Sequence, residues 1–273
     1  MAVKEAAAVS PAVRKMELAR LRGRPTLRDY IPLLFEDFIE LHGDRVFADD
    51  SAVLGGLALL GERPVTVIGH VKGKSTRENI DVNFGMAHPE GYRKALRFMK
   101  QAEKFKRPVV CLVDTPGAFC GVGAEERGQG EAIARNLMEM MALTVPVVSV
   151  VTGEGGSGGA LGLAVANRVL MLENAVYSVI SPKGCASILW KDPAREYEAA
   201  DLLQITAEDL LRLGVVDEII PEPEGGAHRN VRKTALAIRA AVSAALTALE
   251  EETDLARRRY DKFRAMGAFQ MGG

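Results

Sequence analysis

The spacing of hydrophobic residues changes along the 273-residue chain and predicts its elements. Apolar residues recur at helical spacing after Thr26, a helix-capping residue type, and Gly43 stands where such a helix would end. The apolar positions of this expected helix are Leu27, Tyr30, Ile31, Leu34, Phe38 and Leu41. Two apolar runs follow at Val53–Leu60 and 65–71, and the Gly-Glu-Arg-Pro turn between them predicts a strand pair.

Helices and strands alternate in the rest of the chain. Helical patterns over 90–106 and 125–143 precede short apolar runs at 109–113 and 147–151. Further strands are expected at 169–172, 177–180 and 215–220, and further helices from about 159 and over 186–190, 196–203, 207–213 and 231–249. Because strands separated by helices of ten or more residues pair in parallel through right-handed crossovers, the pattern predicts an α/β fold.

The first 25 residues are charged and rich in alanine, and they show no clear core face. We therefore expect residues 1–25 to form an N-terminal arm or a frayed helix, and residues 26–273 to form the domain. No segment has the apolar core of an export signal or the roughly 18 apolar residues of a membrane span. Neither secretion nor membrane insertion is expected.

The composition favours a globular protein that binds its partners through specific sites rather than through its overall charge. Hydrophobic residues make up 48% of the chain, which is sufficient for a large core, and the formal net charge is -1. This balance provides no overall attraction to nucleic acid or to an anionic membrane. Cys111, Cys120 and Cys185 form no closely spaced pair, which argues against disulfides or a thiolate metal site and favours a reducing cytoplasm. The spacing of histidines and carboxylates also predicts no metal site.

Five of the seven residues from 153 to 159 are glycines, and the segment lies between two apolar stretches. Glycine permits sharp turns and close approach of a ligand, and it leaves amide N–H groups free to face negative charge. We interpret the segment as an anion or oxyanion site. It also matches the G-x-S-x-G pattern of serine hydrolases, with Ser157 as nucleophile, His228 as base and Asp201 or Asp217 as the orienting carboxylate.

Two other segments are candidates for ligand contacts. Lys72, Lys74 and Arg77 lie in a segment that is one residue shorter than a phosphate-loop motif, so we reject a nucleotide triphosphatase. Two interpretations stay open: a solvated basic loop, and a loop whose basic residues contact a phosphate group of the ligand. The glycine-rich segment 114–128 follows a strand, as 153–159 does, and ligands bind beyond the carboxyl ends of parallel strands. We therefore expect these two glycine segments to face one crevice. The basic residues of 90–106 are expected on a solvated helix face.

Eight blocks, in order, resemble the carboxyltransferase alpha subunit of bacterial acetyl-CoA carboxylase. The blocks are 42–45, 83–86, 89–96, 114–118, 121–129, 153–160, 177–182 and 221–230. The resemblance covers about residues 25–265. It implies the crotonase (ClpP-like) fold of repeated ββα units, with a helical N-terminal arm and C-terminal helices.

The resemblance also implies partners and a reaction. In this family the alpha chain pairs with a beta chain of the same fold that carries a zinc ribbon, usually as an α2β2 assembly. The complex moves a carboxyl group from carboxybiotin, attached to a biotin carboxyl carrier protein, to acetyl-CoA, giving malonyl-CoA for fatty acid synthesis. Biotin carboxylase completes the ATP-dependent complex, and no metal is expected on the alpha chain.

This reaction develops two oxyanions, and the resemblance assigns the biotin ureido oxygen to the alpha chain. The candidate donors are the amides of Gly155, Gly156, Gly158 and Gly159, of which Gly158 and Gly159 are favoured because they open a helix. The expected substrate-binding residues are Ser157, Gly117, Ala118, Phe119, Gly121, Val122, Gly123, Ser181 and Gly184. Two alternatives stay open: a stand-alone crotonase-type enzyme or serine hydrolase using Ser157, and a non-catalytic scaffold subunit.

Overall fold

The computed structural model describes residues 10–267, in which one mixed sheet is flanked by helices. The strands are β1 (Glu36–Glu40), β2 (Val53–Leu60), β3 (Arg63–His70), β4 (Val109–Thr115), β5 (Val147–Gly156), β6 (Arg168–Leu172), β7 (Val176–Ser178) and β8 (Glu218–Ile220). The helices are α1 (Pro11–Ala19), α2 (Leu27–Leu34), α3 (Thr76–Asp81), α4 (Pro89–Lys104), α5 (Val122–Glu126), α6 (Gln129–Ala142), α7 (Ser157–Leu161), α8 (Pro182–Trp190), α9 (Glu196–Leu202), α10 (Ala207–Arg212), α11 (Val231–Glu250) and α12 (Leu255–Ala265).

The order across the sheet is β1-β2-β3-β4-β5-β6-β8, and β7 pairs with the far end of β5. Strands β1, β2 and β3 are antiparallel, with Val53 opposite His70 in the β2–β3 pair. Strands β3, β4, β5, β6 and β8 run parallel, and helices connect them. The strand pair and the parallel α/β arrangement predicted from the sequence are therefore confirmed.

Strand β5 is longer than its apolar run predicts. It continues to Gly156 because Gly155 pairs with Thr115 of β4 on one side and with Tyr177 of β7 on the other. Four residues of the glycine-rich segment are thus strand rather than loop. Only Ser157, Gly158 and Gly159 leave the sheet, and they begin α7.

Two of the predicted helices differ from their expected bounds. Helix α2 stops at Leu34, and Phe38 lies in β1, which covers the edge of β2. Pairing with that edge satisfies backbone groups that a longer helix would leave unpaired, so the helical spacing up to Leu41 is misleading. The helix expected over 125–143 is interrupted at Gly128, whose φ of 82° lies in the left-handed region.

The N-terminal region packs on the domain. Helix α1 begins after Ser10, whose side chain accepts a hydrogen bond from the Val13 amide. Its buried residues are Ala12, Val13, Met16 and Ala19, which form a cluster with Val176, Ala200 and Ile205. The expectation that the first 25 residues have no core face is wrong for α1, whose buried face packs on the domain. Residues 1–9 lie outside the described part, and the arm stays a prediction. The boundary at residue 26 stays a prediction.

Two basic residues near the start of helix α4 are covered by another part of the chain. Lys94 is only 2% exposed, and its ammonium pairs with Asp49 and donates to the Asp50 carbonyl at 2.7 Å. Arg93 contacts Asp44 at 2.8 Å. The expectation of a solvated basic face is therefore wrong for Arg93 and Lys94, which the loop between β1 and β2 covers. Lys100, Lys104 and Lys106 are exposed, as expected. Within residues 10–267, no helix has the length and apolar character needed to cross a membrane.

Candidate active site

The two glycine segments meet at the carboxyl ends of β4 and β5. A methyl group built at Gly156 would lie 2.0 Å from the Pro116 carbonyl oxygen, and one at Gly159 would lie 2.4 Å from the Ala118 amide nitrogen. Such distances are far below van der Waals contact, so both positions require glycine. The two segments face each other as expected, and Gly117 and Ala118 lie against Gly159.

The start of α7 supplies free backbone donors. The first N–H groups of a helix have no partner within it, and here they belong to Ser157, Gly158 and Gly159. Gly158 is half-buried, whereas Gly159 is buried against the facing loop. Because α7 has only five residues, its dipole contributes less to the field at these amides than a longer helix would. Gly155 lies between two paired strands, so it is a sheet residue rather than a donor of this turn.

A crevice of about 330 Å³ opens beside Ser157 and Gly158. Its walls are mostly apolar, and its lining residues are Ser157, Gly158, Leu161, Tyr177, Ser178, Val179, Leu203, Gln204, Leu210, Leu213 and Val215. Burial raises the pKa of Tyr177 to about 12, so its hydroxyl stays protonated near neutral pH and can donate a hydrogen bond. The sequence pattern predicts that Tyr177 lies in a strand, and it is the pairing of β7 with β5 that brings this side chain into the crevice.

The loop after β4 is held by the segment that precedes α4. The Phe119 amide donates to the Ala87 carbonyl at 3.0 Å, and the Gln129 side chain donates to the carbonyls of Ala87 and Phe119 at 2.8 and 2.9 Å. The Phe119 ring stacks on His88 with centroids 4.0 Å apart. It also lies 2.8 Å from where a Gly121 methyl group would be. Phe119 and Gly121 therefore act first as supports of the loop.

Of the nine predicted substrate-binding residues, Ser157 lines the crevice and the other eight do not. Four of these eight lie at the starts of helices. Val122 and Gly123 begin α5, and Val122 is 76% exposed. Ser181 and Gly184 form the start of α8, where the Gly184 amide donates to the Ser181 hydroxyl at 3.1 Å. That contact is a helix cap, which accounts for these residues without a ligand.

A partly buried group of charges adjoins the end of β5. The Lys72 ammonium lies 2.7 Å from Asp114 and 2.8 Å from Glu154, and Arg20 joins Glu154 to Glu196 at 2.7 and 2.9 Å. Burial would raise the pKa of Glu154, but Lys72 and Arg20 together lower it. Burial would lower the pKa of Lys72, but the two carboxylates raise it. The ion pairs thus keep these groups charged.

The basic residues that follow β3 form ion pairs within the chain. Lys72 has two carboxylate partners and Lys74 pairs with Asp29 at 2.5 Å. The segment that follows is helix α3, whose start is capped by Ser75, rather than an irregular solvated loop. The interactions of Lys72 and Lys74 are therefore internal, and they do not support a contact with a ligand phosphate.

The hydrolase triad is not assembled. Ser157 does adopt a left-handed φ of 53° at a strand-to-helix turn, as a nucleophile elbow would. However, Asp201 accepts a hydrogen bond from Ser10, and Asp217 binds Lys262 and the Val169 amide. Within residues 10–267, no hydrogen bond connects the Ser157 side chain to a histidine. No cluster of three or more metal-ligating side chains occurs in that part either.

Comparison with known proteins identifies the family. Residues 4–267 match the family described as acetyl co-enzyme A carboxylase carboxyltransferase-like. The chain belongs to this family. It is 56% identical over 264 residues to the acetyl-coenzyme A carboxylase carboxyl transferase subunit alpha of Clostridium botulinum (strain Alaska E43 / Type E3), covering 96% of each chain. It is 59% identical to the subunit of that name from Clostridium perfringens (strain ATCC 13124), over 93% of this chain and 94% of the other.

Two solved structures with low sequence identity share the fold. Transcarboxylase 12S matches with a TM-score of 0.69 at 21% identity over 99% of this chain, which spans about half (49%) of that protein's length. A Pseudomonas malonate decarboxylase hetero-tetramer in complex with coenzyme A matches with a TM-score of 0.63 at 18% identity, covering 79% of this chain and 89% of the other. The resemblance to the carboxyltransferase alpha subunit, the crotonase-type fold and the enzyme class are thereby confirmed. The roles of individual site residues stay predictions.

Proposed function

We propose that this carboxyltransferase-family chain is the alpha subunit of an acetyl-CoA carboxylase, which transfers a carboxyl group from carboxybiotin to acetyl-CoA to give malonyl-CoA. The observation that carries the proposal is the unpaired start of α7, which lies at the wall of the apolar crevice. Fixed N–H donors beside a dry surface are what a developing oxyanion requires. In this reaction the oxyanion is the ureido oxygen of biotin.

The crevice fits a flat bicyclic ring with a polar end. Its volume of about 330 Å³ lies within the range of small-ligand sites, and its apolar walls suit the ring. Ser157, Ser178 and Tyr177 are the polar side chains that would orient the ureido group. When bound, carboxybiotin supplies the activated carboxyl group. The chain's own contribution is to hold the ring and to direct the Gly158 and Gly159 amides at its oxygen.

The proposal includes partners that complete the site. A beta subunit of the same fold, bearing a zinc ribbon, would provide the thioester-side oxyanion site, and acetyl-CoA would bind between the two chains in an α2β2 heterotetramer. The biotin carboxyl carrier protein and biotin carboxylase would deliver the carboxyl group. Three free cysteines, two of them buried, suit the reducing cytoplasm in which these partners would act.

Reconstitution tests the proposed function. The purified chain is mixed with a beta subunit, free carboxybiotin and acetyl-CoA, and malonyl-CoA is measured by mass spectrometry. Product should form only when both chains are present. A well-formed complex that makes no malonyl-CoA would contradict the proposal, and product from the chain alone would contradict the division of the site between two subunits.

The serine hydrolase remains a second candidate because Ser157 has the backbone conformation of a nucleophile elbow. A fluorophosphonate probe should label such a serine covalently, and Ser157→Ala should abolish the labelling. We expect no labelling, since no base is hydrogen-bonded to Ser157 within residues 10–267. Stoichiometric labelling of the wild-type chain would favour the hydrolase.

A further inference from the structure

A fully buried asparagine binds the end of the short helix α7. Asn136 lies on the core face of α6, where the other buried positions include Ala132 and Met140. Its side-chain nitrogen donates a hydrogen bond to the Gly162 carbonyl at 3.2 Å, and Gly162 is the residue that ends α7. Because a backbone carbonyl only accepts hydrogen bonds, the nitrogen of the Asn136 amide has to face it.

The amide of Asn136 is an unusual group for a core position. Its side-chain oxygen is buried and has no hydrogen-bond partner within residues 10–267. An unpaired buried oxygen lowers stability, and it offsets part of what the bond to Gly162 contributes. The net contribution of Asn136 to stability is therefore small, which leaves the fixed position of the Gly162 backbone as the main consequence of the bond.

Gly162 connects Asn136 to the candidate oxyanion donors. The Gly162 N–H donates to the Gly158 carbonyl at 2.9 Å. That carbonyl and the Gly159 N–H belong to one peptide unit, which is planar and holds the two groups in opposite directions. A movement of Gly162 that turns the Gly158 carbonyl therefore also turns the Gly159 N–H, one of the two favoured donors.

Two further contacts confine the glycines at the two ends of α7. A methyl group on Gly162 would lie 2.8 Å from the Tyr92 ring of α4, and one on Gly158 would lie 3.6 Å from the Ile133 side chain of α6. Ile133 and Asn136 are three residues apart, so they lie on the same face of α6. One face of α6 therefore contacts both ends of α7.

We propose that Asn136 is a positioning residue for carboxyl transfer: it holds Gly162 and, through the hydrogen bond from Gly162 to Gly158, directs the Gly159 amide at the ureido oxygen. Glycines leave a backbone many conformations, whereas an oxyanion site needs donors in fixed directions. A helix of five residues has few hydrogen bonds of its own to fix those directions. This role rests on the proposed function, because the amide that Asn136 directs is a candidate oxyanion donor.

The next carbonyl along the chain provides a matched control. The Ser149 hydroxyl of β5, which is also fully buried, donates to the Leu163 carbonyl at 2.7 Å. The Leu163 N–H donates to the Ala160 carbonyl rather than to that of Gly158, so this bond does not hold the peptide unit of the Gly159 amide. Ser149→Ala thus removes a buried hydrogen bond to the same turn without reaching the candidate donors.

Kinetics of the reconstituted complex test the role. Asn136→Leu keeps the branched shape but has no donor, and it should lower kcat by about 10- to 100-fold because the Gly159 amide is misdirected. The KM for acetyl-CoA should change by less than about twofold. Ser149→Ala should keep kcat within about twofold of wild type. Wild-type kcat in Asn136→Leu would overturn the proposal, as would equal losses of kcat in the two variants.

A second variant covers the case in which Asn136→Leu does not fold. The side chain of Asn136→Ser is too short to reach Gly162, and its hydroxyl can bond to the preceding turn of α6. It should show the same loss of kcat, measured well below the melting temperature of every variant so that unfolded protein does not contribute. Wild-type kcat in folded Asn136→Ser would contradict the role.

Hydrogen exchange of the isolated full chain tests the contact without any activity. The Gly162 amide, followed by NMR, should exchange at least about tenfold faster in Asn136→Leu than in wild type, because its bond to Gly158 opens more often. In Ser149→Ala the change should be less than about threefold. Unchanged exchange in Asn136→Leu would contradict the role. If exchange changes as expected while the wild-type complex forms no malonyl-CoA, the proposed function fails and the positioning contact stands.

Discussion

Gly156 and Pro116 are so close that a methyl group on Gly156 would be 2.0 Å from the Pro116 carbonyl oxygen. The contact joins the end of β5 to the loop after β4, and both partners are backbone. Neither can move without disturbing the Thr115–Gly155 pairing beside it. The turn of Ser157–Gly159, which holds the proposed oxyanion donors, is therefore built on direct contact between two strand ends.

Gly156→Ala should abolish carboxyl transfer. The added methyl group displaces the turn from the facing loop, and misplaced donors cost at least about 100-fold in rate. The matched control is Gly130→Ala in α6, where the methyl group meets nothing within 4 Å. We expect the control to keep full activity and to gain slightly in melting temperature. Malonyl-CoA formation at wild-type rate by a folded Gly156→Ala complex would contradict the assigned geometry.

Ser157→Gly should stabilise the chain. Ser157 has a φ of 53°, which costs a residue with a side chain about 1 kcal/mol and costs glycine almost nothing. Ser187→Gly in helix α8 is the opposite case, because glycine in a helix interior loses roughly 0.5–1 kcal/mol. Urea unfolding of the two variants should therefore give changes of opposite sign. Destabilisation by both would mean that Ser157 makes a stabilising contact.

Lys72→Met should destabilise the chain near neutral pH and much less in acid. The pKa of Glu154 is raised by burial but lowered further by Lys72 and Arg20, so it lies below its usual value of 4.5. Such a carboxylate stabilises the fold above its unfolded pKa, and the contribution is lost as pH falls through the folded value. We expect a loss of about 2–3 kcal/mol at pH 7 that shrinks below about pH 4.

The control for this pH dependence is Lys74→Met. The Lys74 ammonium pairs with Asp29, but the Lys74 side chain is 55% exposed. Its removal should therefore change the free energy of unfolding by less than about 1 kcal/mol. Urea unfolding at pH 7 and at pH 3.5 measures both variants. A Lys72→Met effect of equal size at the two pH values would show that packing, rather than charge, dominates at this position.

Arg259→Met should strongly destabilise the chain. The guanidinium is completely buried and donates to the carbonyls of Met140, Leu143 and Val145 at 2.7, 2.8 and 3.2 Å, where helix α6 ends. Each carbonyl left unpaired costs roughly 1–3 kcal/mol, so the total loss should be at least about 3 kcal/mol. Arg257→Met, in the same helix with its side chain 67% exposed, should have little effect. Equal melting temperatures of the two variants would refute the account.

The sequence predicted the sheet better than it predicted the ends of elements. Apolar runs identified the β2–β3 pair and the parallel strands, because burial on both faces leaves little freedom in composition. The helical spacing up to Leu41 was misleading. Phe38 and its neighbours form backbone hydrogen bonds with the edge of β2, and the spacing of apolar residues does not reveal such pairing. The core face of α1 was missed because two of its four buried residues are alanines.

The sequence by itself determined the family, the glycine positions and the order of strands and helices, since these follow from residue types and their local spacing. Only the tertiary structure decided which glycines lie in the turn after β5, because that depends on how far β5 pairs with β4 and β7. It also decided that the Phe119 amide pairs with the Ala87 carbonyl, which fixes the loop after β4. These relationships join residues far apart in the chain, and long-range pairing and packing, not local pattern, fix them.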